Sequence, residues 1–130
     1  MRPRPPSLFR PPRARITRPQ IVSRIEAFLR EHVDEPIQVA QLCDVAGVSE
    51  RSLRNAYHAV CGTSPKRYLT RRRMEAVRLA LEAARPGEAT VTRIATDFGF
   101  FELGRFAAKY SSLFGERPSE TLRGTLERAG

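Results

Sequence analysis

Apolar positions along the chain recur at the spacing of amphipathic helices. From residue 16 onwards they return every three or four residues, which is the period of a helix with one buried side. Proline, glycine and capping residues divide the pattern into short segments. No segment shows the alternation of a strand, so the pattern predicts an all-α protein of about seven helices between residues 16 and 128.

The first predicted helix begins within ITRPQI, residues 16–21. Thr17 is placed as its N-cap and Gln20 closes a capping box, while Ile16 and Ile21 are spaced as a hydrophobic staple. A helical period of about 15 residues follows, and the segment 34–36 is expected to end it. Its predicted apolar face is Val22, Ile25, Phe28, Leu29 and Val33.

A short unit then occurs twice. LRNAYHAVCGTSPKRYL, residues 53–69, matches FAAKYSSLFGERPSETL, residues 106–122, without a gap. The matched pairs are Tyr57 with Tyr110, Gly62 with Gly115, Pro65 with Pro118, and Leu69 with Leu122. These positions are inward faces, helix ends and helix starts, so the repeat duplicates a scaffold.

Each copy follows a short helix and a glycine turn, which is the pattern of a helix-turn-helix. In the first copy Gly47 is predicted to turn and Ser49 to cap the second helix. The predicted inner positions of this copy are Val39, Leu42, Cys43 and Ala46, then Leu53, Ala56, Tyr57 and Val60. In the second copy they are Ile94, Ala95 and Phe98, then Phe106, Tyr110, Leu113 and Phe114, around a turn at Gly99.

The pattern also places the boundaries of these parts. A first unit is expected at about 16–63, a connecting helix at about 65–84 and a second unit at about 90–128, with the last helix running from Pro118 to about Leu126. Roughly 20 residues at 1.5 Å each make a connecting helix of about 30 Å. The second helix of a helix-turn-helix lies in the major groove of DNA, and one DNA turn is ~34 Å, close to this length. The second helices of the two units are therefore predicted to enter adjacent major-groove segments.

Charge strengthens the expectation of a polyanionic partner. The net charge is +9 and the pI is about 10.9. No acidic residue lies between Glu50 and Glu75, and that window is rich in arginine and lysine. Residues 1–15 are rich in proline and arginine and are predicted to be a disordered tail, which either adds affinity for phosphates or is an unselected leader.

Other chemistries find little support in the sequence. Cys43 and Cys61 are expected to be buried free thiols of a reducing cytosol, and with only two histidines a zinc site is not expected. No catalytic grouping, phosphate loop, secretory signal or membrane-spanning run is present in the sequence. We therefore expect no enzyme activity, no cofactor, no membrane and a cytoplasmic location.

These residues carry a resemblance to a known family. AGVSERSLRNAY, GTSPKRYLTRRRMEAVRLAL and IATDFGFFELGRFAAKYSSLFGERPSETL resemble the DNA-binding domain of AraC/XylS transcription regulators over about four fifths of the chain. The resemblance implies a seven-helix fold, sequence-specific binding to promoter DNA, and activation through RNA polymerase. Because one chain carries both units, we expect it to bind DNA as a monomer. It also implies that the family's usual effector-binding domain, and with it a small-molecule site, is absent from this chain.

Candidate contact residues follow from helical geometry. In the first unit Arg51, Arg54, Asn55 and His58 form one outward stripe, and the family's base-contacting positions fall on the first three. Arginine pairs with guanine and asparagine with adenine, although each arginine is equally suited to phosphate. Phosphate anchoring is predicted for Ser49, Lys66, Arg67, Arg71 and Arg72, whereas Arg73 is expected to pack on the inner side.

The second unit has a barer outward face. In the register of the repeat, the reading stripe falls on Gly104, Ala107, Ala108 and Ser111. Polar side chains flank it, so contacts to DNA are predicted from Glu102, Arg105, Lys109 and Ser112, with Arg105 as the main one. Apolar contacts from the alanines to thymine methyls are an alternative. Phe101 stands where a capping residue is expected, at a cost of about 1 kcal/mol.

Three other functions are alternatives to sequence-specific DNA binding. One is a truncated or degenerate family member that binds DNA weakly and acts as a protein-interaction module. Another is a basic helical protein on an anionic membrane, which the internal position of the apolar faces disfavours. RNA binding lacks an exposed aromatic platform.

Overall fold

The computed structural model describes residues 16–33 and 35–129, and this part of the chain consists of seven α-helices and no strand. The predicted all-α class and helix number are confirmed. The helices are α1 (Arg18–Glu31), α2 (Val39–Ala46), α3 (Glu50–Cys61), α4 (Pro65–Glu82), α5 (Val91–Asp97), α6 (Leu103–Phe114) and α7 (Pro118–Ala129). The tail prediction for residues 1–15 lies outside the described residues.

The helices fall into two compact units. The N-terminal unit contains α1, α2 and α3, from residues 16–31 and 39–65. The C-terminal unit contains α4 from Lys66 onwards together with α5, α6 and α7, and it also includes the segment 32–38. The long helix thus packs as part of the C-terminal unit.

Local capping signals set the helix starts of the N-terminal unit. The Thr17 backbone N–H donates to Gln20 Oε1 at 2.8 Å and the Gln20 N–H donates to Thr17 Oγ1 at 3.2 Å, which confirms the capping box. The Ser52 N–H donates to Ser49 Oγ at 3.1 Å and confirms the cap of α3. Gly47 and Gly62 both have the left-handed φ, 67° and 70°, that the predicted helix ends require.

The core of the N-terminal unit is built from one side of each helix. Its buried side chains are Ile21, Val22, Ile25, Leu29, Leu42, Ala46, Leu53, Ala56 and Tyr57. Two predicted inner positions are wrong. Val33 lies beyond the end of α1 at Glu31, where the helical period no longer applies, and Val60 in the last turn of α3 is 44% exposed. Both cysteines are half-buried free thiols rather than fully buried.

The core of the C-terminal unit lies between α4, α5 and α6. Its buried members are Met74, Val77, Leu81, Ile94, Ala95, Phe106 and Tyr110, with Phe98, Phe100, Leu113 and Phe114 partly buried against them. Aromatic rings continue this core along α6, since Phe106 and Tyr110 have centroids 5.9 Å apart and Tyr110 and Phe114 4.7 Å apart. Tyr57 and Tyr110 are therefore core residues, as expected.

A chain of hydroxyl groups joins α6 to α7. The Tyr110 hydroxyl lies 2.7 Å from Thr121 Oγ1, and the Thr121 hydroxyl donates to the Glu116 carboxylate. Because the Thr121 hydrogen is used on Glu116, the Tyr110 hydroxyl is the donor to Thr121. Burial raises the pKa of the Tyr110 phenol. The helix that follows runs to Ala129, three residues beyond the predicted end at Leu126.

Arg73 holds the segment 35–38 within the C-terminal unit. Its guanidinium Nη2 donates to the Ile37 carbonyl at 2.5 Å, and it lies 6.0 Å from the centroid of the Phe100 ring. Burial lowers the pKa of Arg73. Pro36 in the same segment lies close to Gly99, where an added Cβ would be 3.1 Å from Pro36 Cβ. Arg73 is thus a packing residue, as expected.

Candidate nucleic-acid interface

Helix α3 carries the predicted reading stripe on its exposed side. Leu53, Ala56 and Tyr57 are completely buried and so fix which side of α3 faces inward. The structure leaves the four candidate residues exposed on the other side: Arg51, Arg54, Asn55 and His58. Four hydrogen-bonding side chains on one exposed side of a helix can reach base edges in a major groove.

The two arginines of this stripe, Arg51 and Arg54, differ in their partners. Arg54 Nη2 lies 3.2 Å from Glu50 Oε1 one turn earlier, and both side chains are largely exposed. Among the residues that the structure describes, none forms an ion pair with Arg51. Arg51 is therefore available to DNA as it stands, whereas Arg54 must exchange a carboxylate for a base or a phosphate.

Ser49 serves the helix rather than standing free. Its Oγ accepts the Ser52 N–H at 3.1 Å, and its hydroxyl lies 3.1 Å from Ser52 Oγ. A phosphate near this helix start would compete with the cap for the Ser49 hydroxyl. The N-terminus of α3 still offers the backbone N–H groups and positive dipole end that favour an anion.

Helix α6 places its predicted contact residues on the surface. Glu102, Arg105, Lys109 and Ser112 are all exposed, and the Arg105 side chain is 84% exposed. Arg105 Nε forms an ion pair with Glu102 Oε2 at 3.2 Å, so the main predicted contact is paired within its own helix start. Of the alanines on the barer face, Ala108 is exposed and Ala107 is half-buried.

The N-cap of α6 differs from the prediction. The capping position is Glu102 rather than Phe101, and its side chain makes no capping hydrogen bond. The helix start therefore lacks the side-chain acceptor that Ser49 provides to α3. Phe101 precedes the cap and is 75% exposed.

The basic cluster at the start of α4 is exposed or half-buried. Lys66, Arg67 and Arg71 are exposed and Arg72 is half-buried. Arg71 Nε pairs with Glu75 Oε1 at 3.1 Å in an exposed i,i+4 contact. Exposed pairs of this kind are weak, so Arg71 can release its partner for a phosphate at little cost.

The described residues contain neither a membrane-spanning helix nor a cluster of metal ligands. In the described ranges, no helix is long and apolar enough to cross a membrane. No three or more His, Cys, Asp or Glu side chains between residues 16 and 33 or 35 and 129 are grouped to hold a metal ion.

Comparison with known proteins places this geometry in a family. A family model described as a helix-turn-helix domain matches residues 42–124. The XylDLEGF operon transcriptional activator of Pseudomonas putida is 41% identical over 100 residues, which are 77% of this chain and 31% of that protein. The chain thus spans about a third of the length of this curated relative, and less than two thirds of a second Pseudomonas putida activator of the same operon.

Solved structures share the fold. A structure from Rhodopseudomonas palustris, described as "a probable AraC family transcriptional regulator", has a TM-score of 0.71 and 32% identity, and the match covers 82% of this chain and 97% of that one. The C-terminal domain of AraT, a response regulator from Geobacillus stearothermophilus, has a TM-score of 0.69 and 21% identity over 87% of this chain and 90% of that one. The second likeness concerns the fold alone.

Proposed function

Because the chain belongs to the AraC family of transcriptional regulators, we propose that it binds double-stranded promoter DNA in a sequence-specific way and regulates transcription. The observation that carries this proposal is the stripe of Arg51, Arg54, Asn55 and His58 on the exposed side of α3. A helix whose inner side is wholly buried presents such a stripe in one fixed direction. The major groove is wide enough to admit one such helix.

The proposal gives the two kinds of basic residue different roles. Arg51, Arg54 and Asn55 contact base edges, with arginine directed to guanine and asparagine to adenine. Lys66, Arg67, Arg71 and Arg72 contact phosphates, which position the protein on the duplex without reading its sequence. In the C-terminal unit Arg105 is the main contact, with Lys109 and Ser112 on the same exposed side of α6.

Occupation of adjacent major-groove segments by α3 and α6 belongs to the same proposal. So do activation of transcription, contact with RNA polymerase, binding as a monomer and a location in the cytoplasm. The name of the Pseudomonas putida relative as a transcriptional activator supports activation. No catalytic step is assigned to the chain.

A second candidate function is a protein-interaction module that binds DNA weakly. The observation that favours it is the outward side of α6, where Gly104 and Ala108 are exposed without a long polar side chain, beside the exposed Phe101. This module would bind a protein through the C-terminal unit and would show no preference among duplexes.

Selection from a random pool of duplexes tests the proposal. The purified chain is expected to enrich one sequence, and a footprint longer than one helical turn would support two groove contacts. Asn55→Ala should relax selection at one base pair by about 1–3 kcal/mol, which is roughly 5- to 150-fold. Ser23→Ala on the exposed part of α1 is the control. A chain that enriches no sequence would favour the interaction module instead.

A further inference from the structure

Phe101 is a large apolar side chain that the fold leaves in solvent. It is 75% exposed, while its neighbour Phe100 is partly buried with its ring centroid 5.1 Å from that of Phe106. In the register of the repeat, Phe101 corresponds to Val48 before α3, which is half-buried. Since burial of apolar area is what stabilises a fold, an aromatic ring this exposed contributes little to folding.

Phe101 lines a groove of the C-terminal unit rather than standing alone. The same groove is lined by Ala108 and Ser112 on the outward side of α6, and by Met74 and Phe106 from the core. Arg105 and Lys109 also line it, and both are exposed. An apolar surface is thus combined with two positive charges on the helix proposed to enter the major groove.

We propose that Phe101, together with Ala108, contacts the C5-methyl group of a thymine and makes the C-terminal unit selective for thymine at one position. The inference rests on the function proposed above. The thymine methyl is the apolar group that a base pair offers in the major groove, and phenylalanine and alanine are side chains that contact it. The first residues of a recognition helix are those that reach base edges.

Charge complementarity favours DNA over a protein as the occupant of this groove. Arg105 and Lys109 are exposed cations that line the groove, and side chains of this kind contact the phosphates of a duplex. Of the described residues that line the groove, Glu102 is the one acidic side chain, and its pair with Arg105 at 3.2 Å leaves the positive charge of Lys109 uncompensated. The C-terminal unit would then read sequence mainly by an apolar contact, whereas α3 reads by hydrogen bonds.

Replacement of thymine by deoxyuridine removes only the methyl group and tests this contact directly. The probe is the duplex enriched by the wild-type chain from the random pool, with each thymine replaced in turn. Loss of one buried methyl is expected to weaken binding about fourfold at the position read by Phe101. Phe101→Ala should clearly reduce the difference between the thymine and uracil duplexes at that position, where only Ala108 would still contact the methyl, and should keep its sensitivity elsewhere.

Two further variants serve as controls for Phe101→Ala. Leu79→Ala removes another exposed apolar side chain, 68% exposed on α4, and should leave every thymine preference unchanged. Phe101→Leu retains an apolar side chain and should retain part of the preference. An unchanged thermal midpoint of Phe101→Ala would show that the turn before α6 still folds.

Three outcomes would overturn the inference. The first is that uracil replaces every thymine without effect on the wild type. The second is that Phe101→Ala weakens all duplexes equally and keeps each uracil effect. The third is that Phe101→Ala leaves binding to DNA unchanged and impairs only activation, which would assign Phe101 to a protein partner. A wild-type chain that enriches no duplex would contradict the proposed function before any thymine is replaced, so the two failures are distinguishable.

Discussion

Arg71 and Arg73 lie two residues apart on α4, and replacement by methionine should affect different properties at the two positions. At Arg73 it should lower the stability of the fold, and at Arg71 it should reduce the salt dependence of DNA binding. Arg73→Met removes the hydrogen bond to the Ile37 carbonyl, made at 2.5 Å, but keeps an apolar stem of similar length. A hydrogen bond from a charged donor contributes about 1.5–3 kcal/mol to stability. Its loss also leaves the Ile37 carbonyl without this donor. The contact with Phe100, at 6.0 Å, adds at most about 0.5 kcal/mol. We therefore expect a loss of about 2–3 kcal/mol in the free energy of unfolding.

Arg71→Met is the matched control on the same helix. Arg71 is exposed and its pair with Glu75 is of the i,i+4 kind, so its loss should cost about 0.3–0.5 kcal/mol. Its proposed contact is with phosphate, and its removal should reduce the slope of log K against log salt by about 0.9. Arg73→Met should leave that slope unchanged, because its guanidinium is used within the fold.

Urea unfolding followed by circular dichroism measures the first quantity, and gel shifts over a range of salt concentrations measure the second. The reasoning would be refuted if Arg73→Met unfolds within about 0.5 kcal/mol of Arg71→Met, since the Ile37 hydrogen bond would then contribute nothing special. A reduced salt slope in Arg73→Met would refute the assignment of this arginine to packing.

Two further predictions concern α6. Glu102→Ser should supply the missing N-cap and raise the free energy of unfolding by about 1 kcal/mol in urea titrations, whereas Ser49→Ala, which removes the existing cap of α3, should lower it by a similar amount. Equal effects of the same sign would contradict the capping argument. Because burial raises the pKa of Tyr110, the stabilisation by its protonated phenol is complete below a pH of about 10 and is lost as the pH rises through the folded value. Tyr110→Phe should therefore unfold with a smaller alkaline loss of stability than the wild type, and identical alkaline slopes would contradict this.

Local signals in the sequence predicted the helix starts and turns of this fold well. The capping box of Thr17 and Gln20, the cap at Ser49 and the left-handed glycines each depend on residues within four positions of one another. The sequence also placed the buried side of α3 correctly, because three wholly buried positions share one helical face. Whether the boundaries predicted for the separate parts correspond to folding units remains a prediction.

The incorrect or missing predictions concern contacts that the helical period of apolar residues does not reveal. A helical period indicates which side of α3 carries Val60, but it does not indicate whether a neighbouring helix reaches the last turn. The spacing of Glu50 and Arg54 already signalled their ion pair, and the same holds for Glu102 and Arg105, although neither pair was predicted. The partner of Arg73 is 36 residues away in sequence, so only the tertiary structure identifies it.

The two copies of the repeated unit agree where packing constrains them and differ where it does not. Tyr57 and Tyr110 are both fully buried, and the glycines that end α3 and α6 have φ values of 70° and 74°. The exposed residues of the two helices make no contribution to these cores, so they can diverge without loss of the fold. On α3 they are hydrogen-bonding side chains, whereas an exposed aromatic ring just before α6 lines one groove with two cations of that helix. One scaffold therefore presents two different chemistries, and we expect each copy to recognise a different feature of the same duplex.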